Sequence, residues 1–127
     1  MYDFCIELDD NAENLALVGE TLGSGGVNIN GLSLTKHEGR DVIHFVVDDP
    51  GIACRVLEDS GIKISEVSEV FVLDKDRTKI TGKPGNFGEI CRALADHGIR
   101  VKFGYPAENN RFIFGVDDLA KARELLG

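Results

Sequence analysis

Three histidines, three cysteines and three pairs of adjacent aspartates are the side chains in this sequence best suited to ligate, attack or exchange protons. His37, His44 and His97 fall at none of the short spacings that bring ligands to one ion. His37 belongs to a polar turn, His44 to the middle of a strand, and His97 to a helix end, where a cation suits the dipole. Cys5, Cys54 and Cys91 stand alone in apolar stretches with no CxxC spacing. Buried free thiols in a reducing compartment are the economical reading, so the expected location is cytoplasmic. Cys91 is expected on the inner face of a helix with no base in view, which argues against a nucleophile. Asp9-Asp10, Asp48-Asp49 and Asp117-Asp118 each precede a helical pattern, where carboxylates cap free N–H groups. Gly23, Gly25 and Gly26 have the composition of a phosphate loop. They follow a helix instead of a strand, and no Gly-Lys-Ser/Thr accompanies them. The residues therefore indicate no catalytic group, no metal site and no cofactor.

Charge narrows the partners. The net charge of −8, from 22 acidic against 14 basic residues, repels phosphate backbones and anionic lipid. Nucleic acid and bare membrane are poor expected partners. No apolar run approaches the ~18 residues of a membrane span, and Met1-Tyr2-Asp3-Phe4-Cys5 has no basic segment of the kind that opens a signal peptide.

The elements that would position a site come in two copies. Laid over itself, the sequence sets Asn14-Leu15 on Asn86-Phe87, Val18 on Ile90, Leu22 on Leu94, Gly26-Val27 on Gly98-Ile99 and Ile29 on Val101. Further on, Ile43, Phe45 and Val47 meet Phe112, Phe114 and Val116, and Asp48-Asp49 meets Asp117-Asp118. The apolar positions stay in phase throughout. In the first copy, Phe4, Ile6 and Leu8 alternate as in a strand, and Leu15, Val18 and Leu22 follow at helical spacing after Asn11 as N-cap. Val27–Thr35 and Val42–Val47 read as strands around a polar turn. Asp48-Asp49-Pro50 opens a helix that buries Ile52, Ala53, Val56 and Leu57, and Ile62–Leu73 is extended again. The order β-α-β-β-α-β predicts an α+β fold, a ferredoxin-like antiparallel sheet with both helices on one face.

The second copy predicts a strand at Arg77–Gly82, a helix opening near Pro84-Gly85-Asn86, strands at Ile99–Tyr105 and Arg111–Val116, and a helix over Asp117–Leu126. The units are thus 1–73 and 74–127, and the second lacks its last strand. An unpaired edge is a liability, which favours pairing with the other unit or with a second copy of the chain.

The stretch Gly82-Lys83-Pro84-Gly85-Asn86-Phe87-Gly88-Glu89-Ile90, with Gly98-Ile99 at the helix end, resembles the signature of the ACT domain. Gly26-Val27-Asn28-Ile29-Asn30-Gly31-Leu32-Ser33 is similar to that family's Gly-Ile-Asn-Ile-x-x-(Ile/Leu)-Ser. Together the halves supply the whole signature, so the chain resembles a tandem ACT protein. The resemblance implies two ferredoxin-like units side by side in one sheet. It also implies an amino-acid ligand at the seam between one unit's first strand–helix loop and its neighbour's second strand. A Pro-Gly turn admits close backbone approach, and a helix N-terminus offers N–H groups to a carboxylate.

Carried over by position, the loop of the second unit is Lys83, Pro84, Gly85, Asn86 and Phe87, and that of the first is Asn11, Ala12, Glu13 and Asn14. Ala12-Glu13 replaces Pro-Gly there, and Glu13 would oppose a carboxylate, so one competent seam is expected instead of two. The strand positions are Asn28, Ile29 and Asn30 in the first unit and Arg100, Val101 and Lys102 in the second. Asn28 either contacts ligand or satisfies a strand end. Gly85 serves either a ligand loop or a plain turn, and Arg100 either a ligand carboxylate or an exposed strand surface.

The resemblance implies a regulatory module for an amino-acid ligand: not an enzyme, homodimeric, and passing its signal to a metabolic enzyme. Met1 opens onto a strand and Gly127 closes a helix, so no catalytic or DNA-binding domain is expected on the chain. The alternative is an assembly module whose ligand seam has degenerated. A small ferredoxin-like enzyme lacks any nucleophile–base constellation to support it.

Overall fold

The alternation at the N-terminus forms strand β1 (Tyr2–Asp9), which points Phe4 and Ile6 into the core and leaves Glu7 exposed. The computed structural model describes residues 1–78 and 84–127. The chain divides into two units, Met1–Ser68 and Glu69–Gly127.

In the first unit β1 is followed by α1 (Ala12–Ser24), β2 (Gly31–His37), β3 (Arg40–Val47), α2 (Pro50–Asp59) and β4 (Glu66–Glu69), with sheet order β4-β1-β3-β2. β1 and β3 run antiparallel with Phe4 opposite Phe45, and the two rings stack 5.3 Å apart. β2 and β3 form a hairpin across Glu38 and Gly39, whose φ values of 52° and 77° give the positive-φ pair that such two-residue turns need. Val18 and Leu22 of α1 and Ala53 and Leu57 of α2 pack with Phe4, Ile6, Ile43 and Phe45 in one core, so both helices cover the same face. Each of the large side chains removed from water there contributes roughly 1.5–3 kcal/mol.

The second unit repeats this plan with β5 (Phe71–Asp74), the short α3 (Lys75–Thr78), α4 (Asn86–Asp96), β6 (Val101–Ala107), β7 (Arg111–Val116) and α5 (Leu119–Leu126). Its sheet order is β6-β7-β5. Phe71 lies opposite Phe114 as Phe4 lies opposite Phe45, and the rings are 6.3 Å apart. Leu94, Ile99, Phe114 and Ala122 form its own core. The fold is α+β, two ferredoxin-like units, and no strand follows α5 among the described residues.

The middle of the chain departs from the sequence-based expectation. The first strand of the second unit is Phe71–Asp74, not Arg77–Gly82; Lys75–Thr78 is helical, and the expected residues 79–82 lie outside the described ones. The stretch expected to run extended from Ile62 to Leu73 is two strands, and the division between units falls at Ser68/Glu69 instead of after Leu73. The cause is pairing: Phe71, Val72 and Leu73 take Phe114, Ile113 and Phe112 as partners, which fixes them in the second sheet. Two strand starts also shift. β2 begins at Gly31 and β6 at Val101, because the chain leaving α1 and α4 first completes a helix cap.

Candidate functional site

The loop ahead of α1 satisfies its own backbone. Asn11 is the N-cap in extended conformation, and its Oδ1 accepts from the N–H of Glu13 at 2.8 Å. The N–H of Asn14 donates to the Asn11 carbonyl at 3.0 Å, and Asn14 Nδ2 donates to the Asp9 carbonyl at 3.4 Å. Ala12 and Glu13 are exposed in the first helical turn. Two of the N–H groups that a ligand carboxylate would seek are thus already taken, and Glu13 adds a negative charge beside them. Asp9 and Asp10 do not cap this helix, contrary to expectation. Asp10 Oδ1 instead accepts from Lys36 Nζ at 2.7 Å, and Asp9 faces Arg40 at 3.5 Å. The other pairs do cap, through Asp49 to Gly51 and Ile52 and through Asp118 to Lys121.

The head of α4 is built differently. Pro84 and Gly85 are exposed in a turn, and Gly85 stands at the N-cap with φ 89°, the left-handed region that glycine enters without strain. No side chain caps this helix among the described residues. Asn86 is buried at its first turn. Phe87 is 53% exposed, with its ring 5.4 Å from that of Phe112 and 6.2 Å from that of Phe114. Lys83 lies outside the described residues.

Asn28 and Ile29 precede β2 instead of lying in it. Asn28 Nδ2 donates to Asn30 Oδ1 at 2.6 Å, and Asn30 Nδ2 donates to Asp48 Oδ2 at 3.2 Å. Asn30 is buried and its N–H donates to the Val46 carbonyl at 2.9 Å, so this relay ties the start of β2 to the end of β3. Exposed Asn28 is its outer member, beside a pocket of about 200 Å³ that Val27, Asp48, Asp49 and Ile52 also line. In the second unit, Arg100 donates its N–H to Asp117 Oδ1 at 2.9 Å and accepts from the Asp117 N–H at 3.1 Å. Its backbone thus has the role that the relay has in the first unit. Val101 is 41% exposed and opens β6 opposite Val116.

Within a unit these groups do not meet. Asn11, Ala12 and Glu13 lie at the head of α1, and Asn28 and Ile29 lie beyond its tail; 13 residues at ~1.5 Å each separate them by about 20 Å. Gly85, Asn86 and Phe87 are likewise parted from Arg100 and Val101 by the 11 residues of α4. A loop and a strand start from one unit cannot hold the same small molecule.

Sequence reasoning missed two features of the first unit. Lys36 bridges Asp10 to the buried Asp41, at 2.7 and 2.8 Å, and its pKa is raised by those hydrogen bonds, that from Asp10 first. An apolar pocket of about 190 Å³ lies between α1 and β2, with Ile29 in its wall. The signal for it was Gly19, a glycine inside a helical pattern. Cys5, Cys54 and Cys91 are free, as expected, but only partly buried. Among the described residues no group of three His, Cys, Asp or Glu is placed to hold a metal, and no helix is long and apolar enough to cross a membrane.

At the level of sequence, no family model and no curated protein matches the chain. Solved structures do. A protein from Bacteroides thetaiotaomicron superposes with a TM-score of 0.81 at 20% identity, over 98% of this chain and 85% of that one. The ligand-free regulatory subunit of aspartate kinase from Thermus thermophilus gives 0.71 at 15% identity, over 98% and 86%. The same subunit from Thermus flavus gives 0.71 at 17% identity, again over 98% and 86%. These likenesses, with the duplicated units, define a double ferredoxin-like fold. In fold the chain is similar to these proteins, in keeping with the two units that its resemblance to the ACT signature implies.

Proposed function

We propose that this chain is a regulatory module that binds a small molecule, an amino acid, and carries no catalysis of its own. The observation that carries the reading is the contrast between the two helix heads. Asn11 closes that of α1, whereas that of α4 opens on a left-handed Gly85 with no side-chain cap among the described residues. Gly85, Pro84, Asn86 and Phe87 are the ligand loop in this reading. They act with strand-start residues of a neighbouring ACT unit, Asn28 and Ile29 or Arg100 and Val101, in this chain or in a second copy. The loop of Asn11, Ala12 and Glu13 is the weaker of the two.

Three lines support this reading: the similarity of the fold to aspartate kinase regulatory subunits, the separation of loop from strand start in each unit, and the Pro-Gly turn. A homodimer in the cytoplasm, relaying occupancy to a metabolic enzyme, is the assembly that follows from it. The acidic surface disfavours nucleic acid and anionic membrane as partners.

Thermal unfolding with each of the twenty amino acids at millimolar concentration tests it. A ligand at 100 times its dissociation constant adds about 2.7 kcal/mol, which moves the midpoint by several degrees. The expected result is a shift with one chemically related group of amino acids, lost in Gly85→Val while the oligomeric state is kept. No shift with any of the twenty would turn the reading toward an assembly module, and turnover of a ligand would overturn both.

A further inference from the structure

The pocket between α1 and β2 has a chemistry that the relay at Asn28 does not share. Leu15 and Val18 of α1, Ile29, Leu32 and Leu34 around β2, and Phe45 of β3 supply its walls, and every lining side chain is apolar. It opens past Leu32 and Leu34, which are 54% and 49% exposed although both point to the helix-covered face, opposite Phe45 and Ile43. A volume of about 190 Å³ exceeds the roughly 150 Å³ of apolar cavities that stay dry and take up benzene. It suits one hydrocarbon group and is too small for a helix.

Gly19 is the second observation. It lies in the interior of α1, where glycine is the least favourable residue after proline. Helix interiors retain glycine where another backbone or side chain comes too close for a methyl. Here a Cβ at position 19 would meet nothing within 4 Å, and φ is not in the left-handed region. Gly19 instead lines the pocket. It lies one turn on from Leu15, so a bulky side chain at 19 would narrow the space between α1 and β2 that this glycine leaves open.

We infer that this pocket receives the side chain of the ligand, which makes the ligand an apolar amino acid: branched aliphatic, methionine or phenylalanine. The inference rests on the proposed amino-acid-binding function and specifies its ligand class. The walls offer nothing to hold a carboxylate or an ammonium group, so only the hydrocarbon end enters and the charged end stays at the mouth. Ile29 belongs both to the pocket wall and to the strand start proposed above for ligand contact, which joins the two. A lysine, serine or aspartate side chain would bury a polar or charged group without a partner there, and so bind about tenfold or more weakly.

Isothermal titration of the full chain with leucine, isoleucine, valine, methionine and phenylalanine, set against serine, threonine, lysine and aspartate, tests the inference. The variants are Gly19→Leu, which narrows the pocket from α1, and Leu32→Asp, which places a charge at its exposed mouth without touching the core. Circular dichroism checks that both fold. The expected result is binding of one or more apolar amino acids to the wild type and a tenfold or greater loss of affinity in both variants. Binding of polar amino acids alone, or apolar binding unchanged in either folded variant, overturns the pocket assignment and leaves the sensor reading standing. Binding of none of the nine to the wild type overturns the assignment too. The thermal scan over all twenty then decides the sensor reading separately.

Discussion

Gly26 and Gly98 hold the same left-handed turn at corresponding points of the two units, with φ of 74° and 68°. The next residue donates back into the helix in each case, Val27 N–H to the Leu22 carbonyl and Ile99 N–H to the Leu94 carbonyl, both at 2.9 Å. This cap satisfies helix-end carbonyls and aims an apolar residue at the core. Gly61 repeats it after α2 with φ 75°, and Ile62 donates to Leu57. The duplication thus extends from apolar phase to individual hydrogen bonds.

An alanine at Gly26 or Gly98 meets no atom within 4 Å, so its effect is one of backbone conformation alone. The left-handed region costs a residue with a Cβ about 1–2 kcal/mol. Gly26→Ala and Gly98→Ala should each lower the urea midpoint accordingly. Gly19→Ala, in ordinary helical geometry, should raise stability by ~1 kcal/mol. Equal effects at all three positions would contradict this account.

The same contrast marks what a sequence reveals. Leu22 and Leu94, or Phe45 and Phe114, are legible because burial imposes a period on neighbours a few residues apart. The break near Val70 is not. Val70, Phe71, Val72 and Leu73 form an unbroken apolar run without glycine or proline, and only the pairing of Phe71 with Phe114 assigns three of them to the second sheet. Asn11 is readable as a cap because its partner lies two residues on. Asn30 and Asp48 are 18 residues apart and meet only once β3 has folded back on β2. The apolar pocket is harder still, since its one local sign is a glycine where a leucine would have fitted the pattern.

Cys5 and Cys54 should be slow thiols. Burial raises the pKa of Cys5 above the ordinary thiol value, and the charges of Asp3, Glu7 and Glu66 raise it further. Burial, then Glu58, does the same to Cys54. The thiolate is the reacting species, so its fraction at mildly alkaline pH falls with each rise in pKa. Iodoacetamide should label both several-fold more slowly in the native protein than in urea, with peptide mapping to resolve the sites. Native labelling at the unfolded rate would show that neither burial nor the carboxylates act on these thiols.

Lys36 gives a pH signature on the alkaline side. Its ammonium donates to Asp10 at 2.7 Å and to Asp41 at 2.8 Å, and these bonds hold its pKa above 10.5 in the folded protein. A group whose folded pKa exceeds its unfolded value binds its proton more tightly when folded. Its contribution to stability is therefore complete below the unfolded pKa and is lost as pH rises through the folded one. The Asp41 carboxylate is almost wholly buried while Asp10 is exposed, so the Asp10 arm is the one that salt screens. Lys36→Met should lower the urea midpoint by a margin that stays constant from neutrality to about pH 10 and narrows above about pH 10.5. Added salt should narrow it only in part, because the Asp41 arm is shielded from solvent on one side. A margin that persisted unchanged through strongly alkaline pH would mean that the aliphatic stem of Lys36, and not its charge, is what joins the loop before α1 to the hairpin.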